Sequence, residues 1–324
     1  MKFSRYAWLI AAGLCLAAAN AFAQTYPSKP LRIMIGYVPG GAADFTARLI
    51  AQRLQMPRHL GQPVIVESRA GAGSTLAIGR VAASPADGYT LLLISEGGLV
   101  QSARGAKLPY DLERDLSPIS FVAVGPQGLV VHPSVPARNV KELIALARRS
   151  PGKLNFGSSG NGSAQHLAGE LFNLMANVKI MHVPFKGGAQ SSVAAASGEI
   201  DMIFATIPSA SPFINSGKLR LLAITLPQRA SFLPDAPTLS ESGLPGYEYT
   251  AWYGVTAPAG TPPEIIARLN DAIVKIVNTP EMKDVLNKGG LEPRTNTPRE
   301  FAAFVKSQLE KSRKLAKLAG ITSE

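Results

Sequence analysis

Along this chain, short β-branched runs alternate with stretches whose apolar residues recur every three or four positions. Leu31-Arg32-Ile33-Met34-Ile35 reads as a strand and Pro39-Gly40-Gly41 as a turn. Ala43 to Leu54 reads as a helix with Phe45/Leu49 and Ile50/Leu54 on a buried face. Val64-Ile65-Val66 is the next strand, then a glycine-rich turn and a helix from about Ser74 to Ala83. Thr90-Leu91-Leu92-Leu93-Ile94 is apolar throughout, as a strand covered on both faces should be. The grammar repeats with Leu129-Val130-Val131 as a strand and Asn139 to Arg149 as a helix opened by an Asn139/Glu142 capping box. Leu154-Asn155-Phe156 leads into a Gly157–Gly162 loop and a further helix. Ile180 to Val183, Ile200 to Phe204 and Leu219 to Ile224 read as strands. Such alternation predicts two doubly wound α/β sheets. Tyr249 to Pro258 then reads as a strand returning to the first sheet.

The C-terminal part reads as helical. Thr261-Pro262-Pro263-Glu264 and Thr297-Pro298-Arg299-Glu300 each set out a cap, a first-turn proline and a third-position glutamate. Gly289-Gly290 and Gly320 are expected helix stops. At the other end, Lys2 and Arg5 precede an apolar run from Ala7 to Ala19, and Ala21-Phe22-Ala23 supplies a small-x-small cleavage pattern. These features predict a signal peptide over 1–23, cut before Gln24, and export to the periplasm. Cys15, the single cysteine of the 324 residues, would leave with it. That excludes a disulfide framework, a thiol nucleophile and cysteine metal ligands from the rest of the chain. The remaining roughly 300 residues suffice for two domains. Net charge is +11, part of it on a helical tail carrying Lys306, Lys311, Arg313, Lys314 and Lys317 that reads as a solvated face. A nucleic-acid role is not expected, because no module interleaves aromatic and basic residues.

Two glycine-rich loops each lie between a strand and a helix start: Tyr37-Val38-Pro39-Gly40-Gly41-Ala42-Ala43-Asp44 and Gly157-Ser158-Ser159-Gly160-Asn161-Gly162-Ser163. Backbone N–H groups at the positive end of a helix dipole suit a carboxylate or phosphate, and the serine hydroxyls add direction. In open α/β sheets, ligands bind at the carboxyl ends of strands, where these loops belong. Each loop alone could be an ordinary tight turn, with Asp44 and Ser163 as helix-start residues. Enzyme patterns fail: Gly71-Ala72-Gly73-Ser74-Thr75-Leu76 misses the third glycine of a dinucleotide fingerprint, and Gly157-Ser158-Ser159-Gly160-Asn161 misses the last glycine of a nucleophile elbow. His59, His132, His166 and His182 show no metal-ligand spacing. No cofactor is expected. His166 could orient the second loop or polarise a serine; Trp252 could wall the site or pack the seam between lobes.

In order, the segments Tyr26-Pro27-Ser28-Lys29-Pro30, Val38-Pro39-Gly40-Gly41 with Asp44, Gly61-Gln62-Pro63-Val64 with Glu67, Ala86-Asp87-Gly88-Tyr89-Thr90 and Leu108-Pro109-Tyr110-Asp111 resemble the Bug family of extracytoplasmic solute receptors. Further on, Pro151-Gly152-Lys153-Leu154, Gly157-Ser158-Ser159-Gly160, His166-Leu167-Ala168, Val183-Pro184-Phe185-Lys186-Gly187 and Ala257-Pro258-Ala259-Gly260-Thr261-Pro262 extend the likeness over nearly the whole chain. The resemblance implies a type II-like periplasmic binding fold: two α/β lobes joined by two crossover strands. Lobe one would comprise 24–124 plus 250–324, and lobe two 125–249. It implies a monomeric, non-enzymatic receptor that captures a small carboxylate and hands it to the permease of a tripartite tricarboxylate transporter. A dicarboxylate, tricarboxylate, acidic amino acid or aromatic acid would fit. Carried over, the ligand residues would be Val38, Pro39, Gly40, Gly41, Ala42 and Asp44, then Ser158, Ser159, Gly160, Asn161, Gly162 and Ser163. Ser95, Lys186 and Asp201 would lie nearby, with His166 and Trp252 in support. Ser95-Glu96-Gly97-Gly98 and Thr206 depart from the family's expected pattern. Two alternatives stand: a periplasmic hydrolase using Ser158 or Ser159 with His166, and a loaded co-receptor for a sensor protein.

Overall fold

The computed structural model describes residues 26–320 except 104, 106, 162, 186 and 319. The expected leader with its cleavage point, and the site expectations at Gly162 and Lys186, lie outside the described residues.

The chain opens with β1 (Leu31–Ile35), α1 (Ala42–Leu54), β2 (Val64–Ser68), α2 (Thr75–Ala82), β3 (Thr90–Ser95) and α3 (Glu96–Ala103). β1 pairs in parallel with β2 on one side and β3 on the other. A short α4 (Leu112–Asp115) leads into β4 (Leu116–Val131), 16 residues long. Then follow α5 (Val140–Arg149), β5 (Asn155–Ser158), α6 (Ala164–Ala176), β6 (Met181–Pro184), α7 (Gly188–Ser197), β7 (Met202–Thr206), α8 (Ile207–Asn215) and β8 (Arg220–Ile224). The return strand β9 (Thr250–Pro258) precedes α9 (Pro263–Val277), α10 (Pro280–Lys288), the two-residue β10 (Glu292–Pro293) and α11 (Pro298–Leu318).

The strand order is β2-β1-β3-β9-β4-β7-β5-β6, with β8 and β10 also paired to β4. β4 therefore belongs to two sheets. Its residues from Leu116 to Pro126 pair with β9, and those from Gln127 to Val131 pair with β7. The sequence shows only the end of this strand, at Leu129-Val130-Val131. Pro118 and Pro126 hide the rest, because proline is a strand breaker except at edges and bulges. The register slips between Pro118 and Ser120, so at Pro118 the strand carries its proline beside an irregularity.

Each sheet is covered on both faces. On one face of the first sheet, Ile33, Ile35 and Leu93 meet Ala47 and Ile50 of α1 and Leu269 and Ile273 of α9. On its other face Met34, Leu92 and Ile94 meet Ile78, Leu99 and Phe301. The second sheet packs Phe156 and Phe204 against α5 and α6, and Val130 and Ile203 against α7 and α8. Fully burying one such Leu, Ile or Phe contributes about 1.5–3 kcal/mol.

Of the two matching helix starts, one behaves as read. Thr297 caps α11: Glu300 N donates to Thr297 Oγ1 at 3.2 Å, and Thr297 N donates to Glu300 Oε2 at 2.9 Å. At the other, Pro262 occupies the cap with φ −52° and ψ 136°, because Pro263 bars the residue before it from helical geometry. The helix starts one residue late, and Thr261 instead donates its hydroxyl to Pro258 O at 2.8 Å.

Candidate functional site

Strand register decides where the loops meet. β9 runs antiparallel to β3 with Tyr253 opposite Ser95, so the carboxyl ends of the first sheet lie at the beginning of β9. β7 runs antiparallel to β4 with Thr206 opposite Gln127. The carboxyl ends of the second sheet thus lie where β4 changes sheets, next to the Pro126–Thr250 pair. Both sets of loops border the crossover strands from opposite sides. The arrangement sets a glycine-rich lip on each side of β4 and β9, as the two sides of a candidate cleft.

The first lip is built around Asp44. Its carboxylate, buried to 5% exposure, accepts from Gly40 N at 3.1 Å and from Arg48 Nε at 2.9 and 3.0 Å. Burial pushes this carboxyl's pKa up, but the Arg48 and Gly40 bonds outweigh it and hold the pKa below the ordinary value. Asp44 thus shapes the loop from within. Gly40, at φ +92°, takes a conformation that disfavours other residues. Gly41 is the cap of α1 in extended geometry and brings no side-chain acceptor to the helix start. A Cβ at Gly41 would meet nothing within 4 Å, so its surroundings are open. Val38, 68% exposed, stands beside it. Beneath, Tyr37 Oη bonds Ser95 Oγ at 2.5 Å, and Ser68 Oγ donates to Tyr37 O at 2.6 Å. Burial, with the charge of Glu96, pushes the Tyr37 hydroxyl up to about 12, so it remains protonated.

The second lip is held by a serine. Ser158 is fully buried; its Oγ donates to Gly160 O at 3.0 Å, accepts from Gly160 N at 3.1 Å and lies 2.6 Å from His182 Nε2. Phe185 N donates to Ser158 O at 3.0 Å, tying the loop after β5 to the end of β6. Ser163 caps α6 through a bond from His166 N at 3.3 Å. Ser159 and Asn161 are the exposed residues of the turn. The rings of His166 and His182 stack at 3.6 Å, and Glu170 Oε1 lies 3.6 Å from His166 Nε2. Burial first, then repulsion from His166, pulls the His182 pKa down to about 4.

Several expected site residues fall elsewhere. Asp201 precedes β7, a strand length from Thr206, roughly 17 Å at ~3.4 Å per residue. There its carboxylate accepts from Asn155 N at 2.8 Å while Asn155 Oδ1 accepts from Asp201 N at 3.0 Å, a clamp between the starts of two strands. Asp201 thus sits at the opposite end of its strand from Thr206. The hydrolase reading paired a serine with His166, but the partner of Ser158 is His182, and the buried hydroxyl is bonded into its own loop. Trp252 is only 1% exposed and packs among Phe121, Phe301 and Phe304 at ring distances of 6.0, 5.9 and 5.3 Å. It packs a core at the seam between the lobes, the second of its two expected places. Conversely, Tyr37 and His182, neither of them among the expected ligand residues, bond the two lips, and Thr206, noted only as a departure from the family's pattern, closes β7 beside them. Tyr37 carried a signal as the first residue of the first loop; His182 carried none beyond its place in a strand-like run.

Two lobes, each a sheet sandwiched by helices, with strand ends converging on paired crossovers, define a periplasmic binding protein. The chain belongs to the family of tripartite tricarboxylate transporter receptors, whose profile matches residues 46–321. It is 35% identical over 296 residues to protein BugT of Bordetella pertussis, covering 91% of this chain and 90% of that protein. A UPF0065 protein from the tcbD-tcbE intergenic region of Pseudomonas sp. strain P51 is 35% identical over 312 residues, 94% of this chain and 92% of its own length. Among solved structures, R. palustris Rpa4515 with adipate superposes with a TM-score of 0.84 at 34% identity, over 92% of this chain and 99% of that one. MatC of Rhodopseudomonas palustris with bound malate gives 0.79 at 29% identity, over 90% and 99%.

Proposed function

We propose that this chain is a periplasmic receptor that closes its two lobes on a small dicarboxylate and delivers it to the membrane components of a tripartite tricarboxylate transporter. The observation that carries the reading is the register: it sets the open backbone of α1's start and the serine-held turn on opposite sides of the same crossover pair. The exposed N–H groups of the two loops, their hydroxyls and the helix dipoles behind them suit a carboxylate. In this reading Val38 to Ala42 and Ser159, Gly160, Asn161 and Ser163 touch the ligand, while Asp44, Ser95, Ser158 and His166 hold the two lips in shape. Lobe one comprises 24–124 and 250–324, lobe two 125–249, and the receptor acts as a monomer. The adipate- and malate-bound relatives support a dicarboxylate over the tricarboxylate, acidic amino acid and aromatic acid considered above.

The test is calorimetry with adipate, malate, citrate, aspartate and benzoate, on the parent and on Gly41→Val. Gly41 has φ −88° and open space around its Cβ position, so valine leaves the fold intact. The expected result is saturable binding of a dicarboxylate by the parent and a loss of at least a hundredfold in the variant. Unchanged affinity in a folded Gly41→Val would place the ligand elsewhere.

A further inference from the structure

Away from both lips, a cavity of about 460 Å³ opens between the lobes beside the final helix. Its apolar walls come from Leu99 of α3, Leu171 and Met175 of α6, and Phe304 and Leu315 of α11. Both crossover strands reach it, through Val124 of β4 and through Thr250 and Trp252 of β9. Among the described residues, none of the Val38–Asp44 or Ser158–Ser163 loops lines it.

Three observations describe what would fit. Trp252, 1% exposed, lines the cavity, and its indole Nε1–H has no partner among the described residues. A buried donor left without an acceptor costs about 1–3 kcal/mol, so an occupant that brings an oxygen is favoured. Thr250 Oγ1 is in the same position. The charged residues at the lining balance: Glu96, Glu248 and Glu292 against Arg229, Arg294 and Lys311. Arg229 is already paired with Glu241 at 3.0 Å, and Glu292 accepts from Ser231 N at 2.7 Å. Burial pushes the Glu96 carboxyl up to about 7, so at neutral pH this group carries only part of a charge. The volume lies within the roughly 300–1,000 Å³ typical of small-molecule sites.

We infer that this interlobe cavity is a second ligand site, for an uncharged molecule with a ring-sized apolar body and one carbonyl or hydroxyl oxygen that accepts from Trp252 and bonds Thr250. Its chemistry is opposite to that of the dicarboxylate cleft, so the two sites can be told apart with matched probes.

The chain holds two tryptophans, Trp8 and Trp252. In the full chain carrying Trp8→Phe, fluorescence therefore reports on Trp252 alone. Titration with cyclohexanone is expected to give a saturable change in emission, and cyclohexanecarboxylate at least tenfold weaker binding. Thr250→Val should weaken cyclohexanone severalfold. Ser312→Phe and Met175→Phe, which fill the cavity from α11 and α6, should each abolish the response, with far-UV circular dichroism confirming the fold. Two fillers on different helices keep the test decisive if one variant fails to fold. Gly41→Val, which blocks the dicarboxylate cleft, should leave cyclohexanone binding intact. No saturable response, a response surviving in both folded fillers, or a response lost in Gly41→Val would each overturn the site. Equal binding of the carboxylate would overturn the preference for an uncharged ligand. Adipate binding in the fillers tests the front cleft separately.

Discussion

The Ser158 hydroxyl has one proton and two lone pairs, and three partners surround it. All three are satisfied only if Gly160 N–H and His182 Nε2–H both donate to it while it donates to Gly160 O. That arrangement fixes the tautomer of His182 and makes the imidazole a positioning group for the second lip. His182→Phe keeps the ring but removes the donor, and should weaken dicarboxylate binding by roughly five- to tenfold, the value of ~1–1.4 kcal/mol for one hydrogen bond. The pH dependence follows from the depressed pKa. The unfolded chain takes up the proton near pH 6.5 and the folded one only near 4, so this group's contribution to stability is complete above pH 6.5 and declines as pH falls toward 4. His182 is only partly buried, so solvent screening holds the loss to roughly 1–2 kcal/mol. Urea midpoints at pH 7 and pH 4.5 should show a larger drop for the parent than for His182→Phe. The Gly-Ser loop around Ser158 was legible in the sequence because turn residues advertise themselves. His182 was not, since only the pairing of β5 with β6 brings it to Ser158.

Among the elements, helix starts and short buried strands could be read from the chain because their signals are local. Asn139 does cap its helix, with Glu142 N donating to Asn139 Oδ1 at 2.9 Å, but Glu142 reaches back one residue further than in a capping box and accepts from Arg138 N at 2.7 Å. Asn139→Ala should therefore cost about 1 kcal/mol in chemical denaturation. The long crossover β4 was not legible, because two prolines interrupt it and its pairing partner β9 lies far along the sequence. α8 was hidden likewise by Pro208 and Pro212. The packing of α11 onto β9 rests on a glycine: a Cβ at Gly254 would fall 2.1 Å from the Phe301 ring, and Phe301 packs against Phe121 and Trp252. Gly254→Ala should destabilise by about 1–3 kcal/mol through this overpacking, visible as a lower urea midpoint with unchanged slope.

For the molecule as a whole, the proposed closure of the lobes on a dicarboxylate would make two measurable changes. Ligand at 100 times its dissociation constant should stabilise the fold by about 2.7 kcal/mol, and small-angle scattering should show a smaller radius of gyration with ligand than without. The sheet order has a consequence for the order of events on the ribosome. β9 is the interior strand between β3 and β4, and it is made after every strand of the second sheet. Residues such as Leu93 wait for Val255, and closing so long a loop is costly before its contacts form. The second sheet needs only β4 to β8, so it can assemble while the first is still lacking its middle. A chain ending at Tyr249 should thus protect the stretch from Gln127 onward against brief proteolysis and leave the segment before it open to digestion. The N-terminal third, first to be synthesised, is then the last to gain a fold.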